Sequence, residues 1–120
     1  MRYTVLVVDD VESVRAWVAD TLRRAGYRVV VAASASDALY MAANHRGPIH
    51  LLLTDVVMPG SNGVDLAHEL VTERRGLRVL YMSGFVESTV VRNAKLSEET
   101  FLSKPFSGAE LLRRVEALLR

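Results

Sequence analysis

Two aspartates, Asp9 and Asp10, close the apolar run Val5-Leu6-Val7-Val8, and a third, Asp55, closes the run Leu51-Leu52-Leu53-Thr54. A hydroxyl, Ser83, follows Val79-Leu80-Tyr81-Met82, and an ammonium, Lys104, follows Phe101-Leu102-Ser103 and precedes Pro105. Carboxylates gathered in one place repel each other unless a cation neutralises them. Oxygen-only donors suit a hard octahedral ion, Mg²⁺ or alternatively Mn²⁺, which keeps several waters and leaves positions for phosphoryl oxygens. A carboxylate beside such an ion can attack phosphorus and become an aspartyl phosphate. An ammonium and a hydroxyl can then pair with the other phosphoryl oxygens.

Each residue also has a plainer reading. Asp9-Asp10 could simply cap a following helix, Asp55 could start a turn before Pro59-Gly60, Lys104 could be an exposed lysine, and Ser83-Gly84 an ordinary turn pair. What separates the two readings is whether the chain brings all of these residues to one edge.

The hydrophobic pattern says that it does. Short apolar or β-branched runs of the buried-strand kind cover Tyr3 to Val8, Arg28 to Ala32, His50 to Thr54, Arg78 to Met82 and Thr100 to Leu102. Helically spaced stripes lie between them: Val14, Val18 and Leu22, stopped at Gly26; Ala38, Leu39, Ala42 and Ala43, ending at Gly47-Pro48; and Val64, Ala67, Leu70 and Val71, ending near Gly76. The last helix has Ser107 and Glu110 at capping-box spacing, followed by Leu111, Leu112, Val115, Leu118 and Leu119. The stretch from Val86 to Lys95 contains Thr89-Val90-Val91, poor helix formers, and predicts a short or irregular fourth helix. Five alternating βα units predict a parallel sheet covered by helices on both faces. In such a sheet ligands sit outside the carboxyl ends of the strands. Those ends are Asp9-Asp10, Asp55, Ser83 and Lys104-Pro105.

Composition narrows the field. The chain has 120 residues, 50% of them hydrophobic and 24% charged, which predicts one globular domain over residues 1–120. With no cysteine, thiolate metal sites, disulfides and a cysteine nucleophile are excluded. The apolar run at Val5 to Val8 is too short to span a membrane or to act as a signal peptide, so a cytoplasmic domain without membrane contact is expected. The formal charge is +1, and the pairs Arg23-Arg24, Arg74-Arg75 and Arg113-Arg114 fall on separate helical segments, which reads as solvated helix faces and not as a nucleic-acid surface. The chain stops one residue after Leu119, so no output domain is expected within these residues.

At this point the chain resembles a known family, the receiver (response-regulator) domains of two-component systems, over essentially its whole length. The resemblance rests on VLVVDD at Val5 to Asp10, LLLTDVVMPGSNG at Leu51 to Gly63, VLYMSG at Val79 to Gly84 and FLSKPF at Phe101 to Phe106. It implies a flavodoxin-like sheet in the order 2-1-3-4-5. It further implies that Asp55 is the phospho-acceptor, that Asp10, Asp55 and the backbone carbonyl of Val57 hold Mg²⁺ directly with Asp9 acting through water, and that Ser83 and Lys104 contact the phosphoryl group. The Lys104-Pro105 bond is expected to be cis. Ser83 and Phe101 take the switch positions; Phe101 stands where the family often has tyrosine and lacks its hydroxyl, and Ser83 stands where many members have threonine.

The implied partner is a histidine kinase or a histidine phosphotransfer protein, with a homodimer that forms on phosphorylation left open. The wording is especially similar to receiver domains at the C-terminus of hybrid histidine kinases. Three other functions compete. A degenerate receiver, acting as an interaction module independent of phosphorylation, is disfavoured by the intact set of acidic, hydroxyl and lysine residues. An aspartyl phosphatase calls for a second carboxylate two residues after the nucleophile, where this chain has Val57. A flavin or dinucleotide carrier calls for a Gly- or Ser/Thr-rich first loop, and here that loop is Asp9-Asp10-Val11-Glu12. The chain is therefore expected to be a signalling domain and not an enzyme.

Overall fold

The computed structural model describes residues 2–84, 92–93 and 95–120. Its elements are β1 (Thr4–Val8), α1 (Glu12–Arg24), β2 (Arg28–Ala32), α2 (Ala35–Asn44), β3 (Leu51–Asp55), β4 (Val57–Met58), β5 (Ser61–Asn62), α3 (Gly63–Glu73), β6 (Arg78–Ser83), a 3₁₀ turn (Glu98–Thr100), β7 (Phe101–Ser103) and α4 (Gly108–Leu119). The large sheet is parallel throughout, in the order β2-β1-β3-β6-β7. Counting only its own five strands, this is the expected 2-1-3-4-5.

Period-two alternation of the strands divides the interior into two layers. Val5 and Val7 of β1 join Leu51 and Leu53 of β3 on one face, where Val18 and Leu22 of α1 and Leu111 and Val115 of α4 cover them. Leu6 and Val8 join Leu52 on the other face, under Ala38 and Ala42 of α2 and Leu66 and Leu70 of α3. Because both faces are covered, every residue of β1 and β3 is buried. A fully buried leucine contributes roughly 1.5–3 kcal/mol relative to an exposed one, so these central strands anchor the fold.

Several predicted boundaries shift by one residue. The third strand begins at Leu51 and includes Asp55, which is set opposite Met82 in β6, while Val56 N–H donates to Met82 O at 3.0 Å. His50, predicted as strand, accepts the Thr4 N–H on Nδ1 at 2.9 Å. The last strand is Phe101–Ser103 instead of starting at Thr100, which closes the 3₁₀ turn. Val71 and Ala43, placed by sequence on the buried stripes, face solvent, because each lies one residue beyond the face that α3 and α2 turn to the sheet. The hairpin β4–β5 was not anticipated; it closes around Pro59-Gly60, with Gly60 at φ 75°.

The expected cap is present at α4, where Ser107 Oγ accepts from Glu110 N–H at 3.1 Å. Ser34 and Asn62 cap α2 and α3 in the same way. The irregular fourth helix predicted between residues 86 and 95 lies outside the described residues apart from 92, 93 and 95. No described helix is long and apolar enough to cross a membrane.

Candidate functional site

The carboxyl ends of β1, β3, β6 and β7 meet along one edge of the sheet. Asp9 is wholly buried, Asp55 is 6% exposed and Asp10 is exposed. One carboxylate oxygen from each of Asp9, Asp10 and Asp55 lies within 4.8 Å of the others. From β7's end Lys104 reaches back, its Nζ donating to Asp9 Oδ2 at 2.8 Å and to Asp55 Oδ2 at 3.2 Å. Asp10, Asp55 and Lys104 border an open cleft of about 610 Å³ whose other walls include Val57, Met58 and Pro59. Ser83, fully buried, ends β6 beside them, and its carbonyl accepts the Lys104 N–H at 3.0 Å. The Lys104-Pro105 bond is cis.

Asp9 is held at every polar group. Its N–H donates to Ala32 O at 3.2 Å, its carbonyl accepts from Arg15 Nη1 at 2.8 Å, and its Oδ1 accepts from Val11 N–H at 2.9 Å. The capping reading of this aspartate is thus partly right, since its side chain steadies the entry to α1, whose N-cap residue Val11 offers no side-chain cap. Asp9 and Lys104 form a braced pair, and Asp10 and Asp55 are the carboxylates that face the cleft.

The electrostatics follow from this layout. Burial is the largest cause pushing the Asp55 carboxyl up, to about 6; the charge of Asp9 adds to it, Lys104 works against it by charge and hydrogen bond, and Asp10 raises it slightly further. For Lys104 burial works against the charged form, but the hydrogen bond to Asp9 and the charges of Asp55 and Asp9 outweigh it and leave the ammonium above its usual 10.5. Three carboxylates against one ammonium leave the cluster with excess negative charge. Its donors are all oxygens, one of them exposed, which is the chemistry of a hard divalent cation such as Mg²⁺.

Phe101 opens β7, the edge strand of the sheet. Its ring is half-buried against the α2–α3 layer, in register with Tyr81, and its carbonyl accepts from Arg114 Nη1 at 2.7 Å. The structure therefore brings together Asp9, Asp10, Asp55 and Lys104, sets Ser83 and Val57 beside them, and keeps Phe101 on the far edge. Sequence reasoning missed Arg15, which bonds the Asp9 carbonyl, Thr54, whose hydroxyl donates to that of Asp55, and Gly63, whose backbone packs close against it. A glycine opening a helix directly after an asparagine cap was the available signal for Gly63, because neither capping nor helix propensity favours it there.

An open parallel sheet of this order, with an acidic cluster and a lysine at its carboxyl edge, is the architecture of a two-component receiver domain. The chain belongs to the response regulator receiver domain family, matched over residues 5–116. It is 34% identical over 117 residues to the sensor kinase CckA of Brucella abortus, across 97% of this chain and 12% of that protein. It is 35% identical over 119 residues to the DNA-binding transcriptional regulator NtrC of Azospirillum brasilense, across 97% of this chain and 24% of that one. The chain thus spans about an eighth to a quarter of these two relatives. Among solved structures it is similar to the receiver domain of the hybrid histidine kinase CckA, at 36% identity and TM-score 0.76 over 98% of this chain and 99% of that one. It is also similar to the chemotaxis response regulator CheY4 of Vibrio cholerae, at 28% identity and TM-score 0.82 over 99% and 100% of the two chains.

Proposed function

We propose that this receiver domain accepts a phosphoryl group on Asp55 from a phosphohistidine of a histidine kinase or a phosphotransfer protein, in a Mg²⁺-dependent reaction, and then changes its interaction surface. The observation that carries the reading is Asp55 itself: a buried carboxylate at a strand end, 3.2 Å from an ammonium and clustered with two other carboxylates at the mouth of a cleft. Similarity to the receiver of a hybrid histidine kinase supports the choice of donor.

In this reading Asp10, Asp55 and the Val57 carbonyl would hold Mg²⁺, with Asp9 acting through water. The bound cation would supply positive charge that offsets the carboxylates and the phosphoryl oxygens. An Asp55 carboxylate oxygen bonds to phosphorus as the P–N bond of phosphohistidine breaks, and the imidazole leaves with its electron pair and takes up a proton. Lys104 can turn from Asp55 toward a phosphoryl oxygen while Asp9 keeps it charged and near. Ser83, one residue beyond the partner of Asp55 in β6, supplies a hydroxyl for a second oxygen. Val57, half-buried at the cleft, offers a side chain that cannot orient an attacking water, which favours a long-lived acyl phosphate. Phe85, two residues after Ser83 in the sequence, is proposed to shield the phosphate with Val57, and lies outside the described residues.

Treatment with a small acyl phosphate donor, with and without Mg²⁺, tests this function. A hydroxylamine-labile phosphoryl group that forms only with Mg²⁺ is expected. A label that forms equally well in chelator, or that survives hydroxylamine, contradicts it.

A further inference from the structure

The peptide of Asp55 is gripped from two sides by residues to which the phosphoryl chemistry gives no part. On one side Thr54 Oγ1 donates to Asp55 O at 3.0 Å, wholly buried. On the other, the backbone of Gly63 lies against the same carbonyl. A Cβ built on Gly63 would collide with Asp55 O and would also stand 2.9 Å from Thr54 Cγ2. Gly63 N–H donates to Val56 O at 2.8 Å, and Val56 N–H donates to Met82 O at 3.0 Å. After Asp55 the chain therefore runs out through the β4–β5 hairpin and returns to press the first residue of α3 on the peptide it has just left.

Helix formation does not require this glycine. Asn62 already caps α3, its Oδ1 accepting from Asp65 N–H at 2.9 Å, and glycine is a poor residue inside a helix. Gly63 has no positive φ, so its demand is for space and not for an unusual backbone conformation. The atom that an added methyl would strike is a backbone oxygen, which no change of rotamer can move aside. The direction of the Asp55 side chain follows its peptide, so displacing the carbonyl would swing the carboxylate away from Lys104 and the neighbouring aspartates.

We infer that Gly63 and Thr54 are positioning residues for the phospho-acceptor: together they clamp the Asp55 carbonyl and so aim its carboxylate into the cleft. This rests on Asp55 being the acceptor. Reaction geometry is sensitive to such aim, since a displacement of about 1 Å can cost on the order of 100-fold in rate.

The test measures the maximal rate of phosphorylation by a saturating acyl phosphate donor with Mg²⁺, at a temperature well below the melting point of every variant. Gly63→Ala is expected to lower that rate roughly 10- to 100-fold. Thr54→Val, which keeps shape and removes the hydroxyl, should lower it several-fold, and Thr54→Ser, which keeps the hydroxyl and loses packing, should retain it. Leu39→Ala in α2, half-buried on the same core layer, serves as a control that loses stability and keeps its rate. Wild-type rates in both Gly63→Ala and Thr54→Val overturn the proposal, as do rates that follow melting temperature alone across all four variants. Should Gly63→Ala not fold, the contrast between Thr54→Val and Thr54→Ser decides. Label retained in Asp55→Asn would remove the acceptor assignment and this inference with it, whereas label confined to Asp55 with unaffected variants would remove the inference alone.

Discussion

The ammonium of Lys104 is closer to Asp9, at 2.8 Å, than to Asp55, at 3.2 Å, although it lies within reach of both. Asp9 is wholly buried and Lys104 only partly so, hence the lysine is the main counter-charge of an aspartate that cannot turn to water. Removing one member of a buried pair typically costs about 3–5 kcal/mol, because the other charge remains. Lys104→Ala should therefore lose roughly 3 kcal/mol of stability without Mg²⁺. The variant should also bind Mg²⁺ more tightly than wild type, since a competing cation has gone, while its phosphorylation slows. Chemical denaturation with and without Mg²⁺ checks this; equal stability without Mg²⁺, or weaker Mg²⁺ binding, contradicts it.

The raised pKa of Asp55 gives a pH dependence with a definite sign. Unfolded, this carboxyl titrates near its ordinary value of about 3.9, and folded near 6. Below both values it is protonated in both states and contributes nothing. Between them the unfolded chain ionises first, so stability falls as pH rises, and above about 6 the full cost persists. Asp55→Asn, which cannot ionise, should melt above wild type at neutral pH in the absence of Mg²⁺, and its advantage should shrink as pH falls through that window. An advantage that stays constant or grows toward acid would count against the account.

Mg²⁺ should stabilise the protein by relieving the same repulsion. A ligand that binds only the folded form at ten times its Kd contributes about 1.4 kcal/mol, which for a domain of this size is a rise on the order of 5 °C in Tm. Asp10→Ala should abolish most of that rise, because Asp10 is the exposed member of the cluster. Equal Mg²⁺ shifts in the two proteins would show that Asp10 is not a ligand.

Much of this site was legible in the sequence because strand ends are. The alternation of Val5 and Val7 against Leu6 and Val8 marks a strand buried on both faces, and an aspartate ending such a strand has no packing reason to be there. The supporting contacts were not legible, since they join side chains to distant backbone atoms and leave no periodic trace. Arg74, read as one of a solvated pair, instead bonds Gly47 O at 3.0 Å, Ala42 O at 2.8 Å and His45 O at 3.2 Å, closing the end of α2. The β4–β5 hairpin was hidden for a related reason: its two-residue strands are too short for alternation to register.

Communication to the far edge should pass through Phe101. Its carbonyl and that of Glu98 both accept from Arg114 Nη1, at 2.7 and 2.6 Å, so β7 and α4 are tied at the residue expected to switch. Adding beryllofluoride with Mg²⁺, a phosphoryl mimic, should shift the NMR signals of Phe101 and Arg114 as well as those beside Asp55, and Arg114→Ala should weaken the distal response. Shifts confined to the neighbours of Asp55 would show that this route does not operate, and a two-state change of surface would lose its support.

The central claim is that Asp55 takes the phosphoryl group, and intact mass spectrometry tests it most directly. Wild type and Asp55→Asn are incubated with Mg²⁺ and a small acyl phosphate donor, and each is weighed before and after hydroxylamine. The account predicts one added phosphoryl group on wild type, removed by hydroxylamine, and none on a folded Asp55→Asn. The same gain in mass on Asp55→Asn would contradict it.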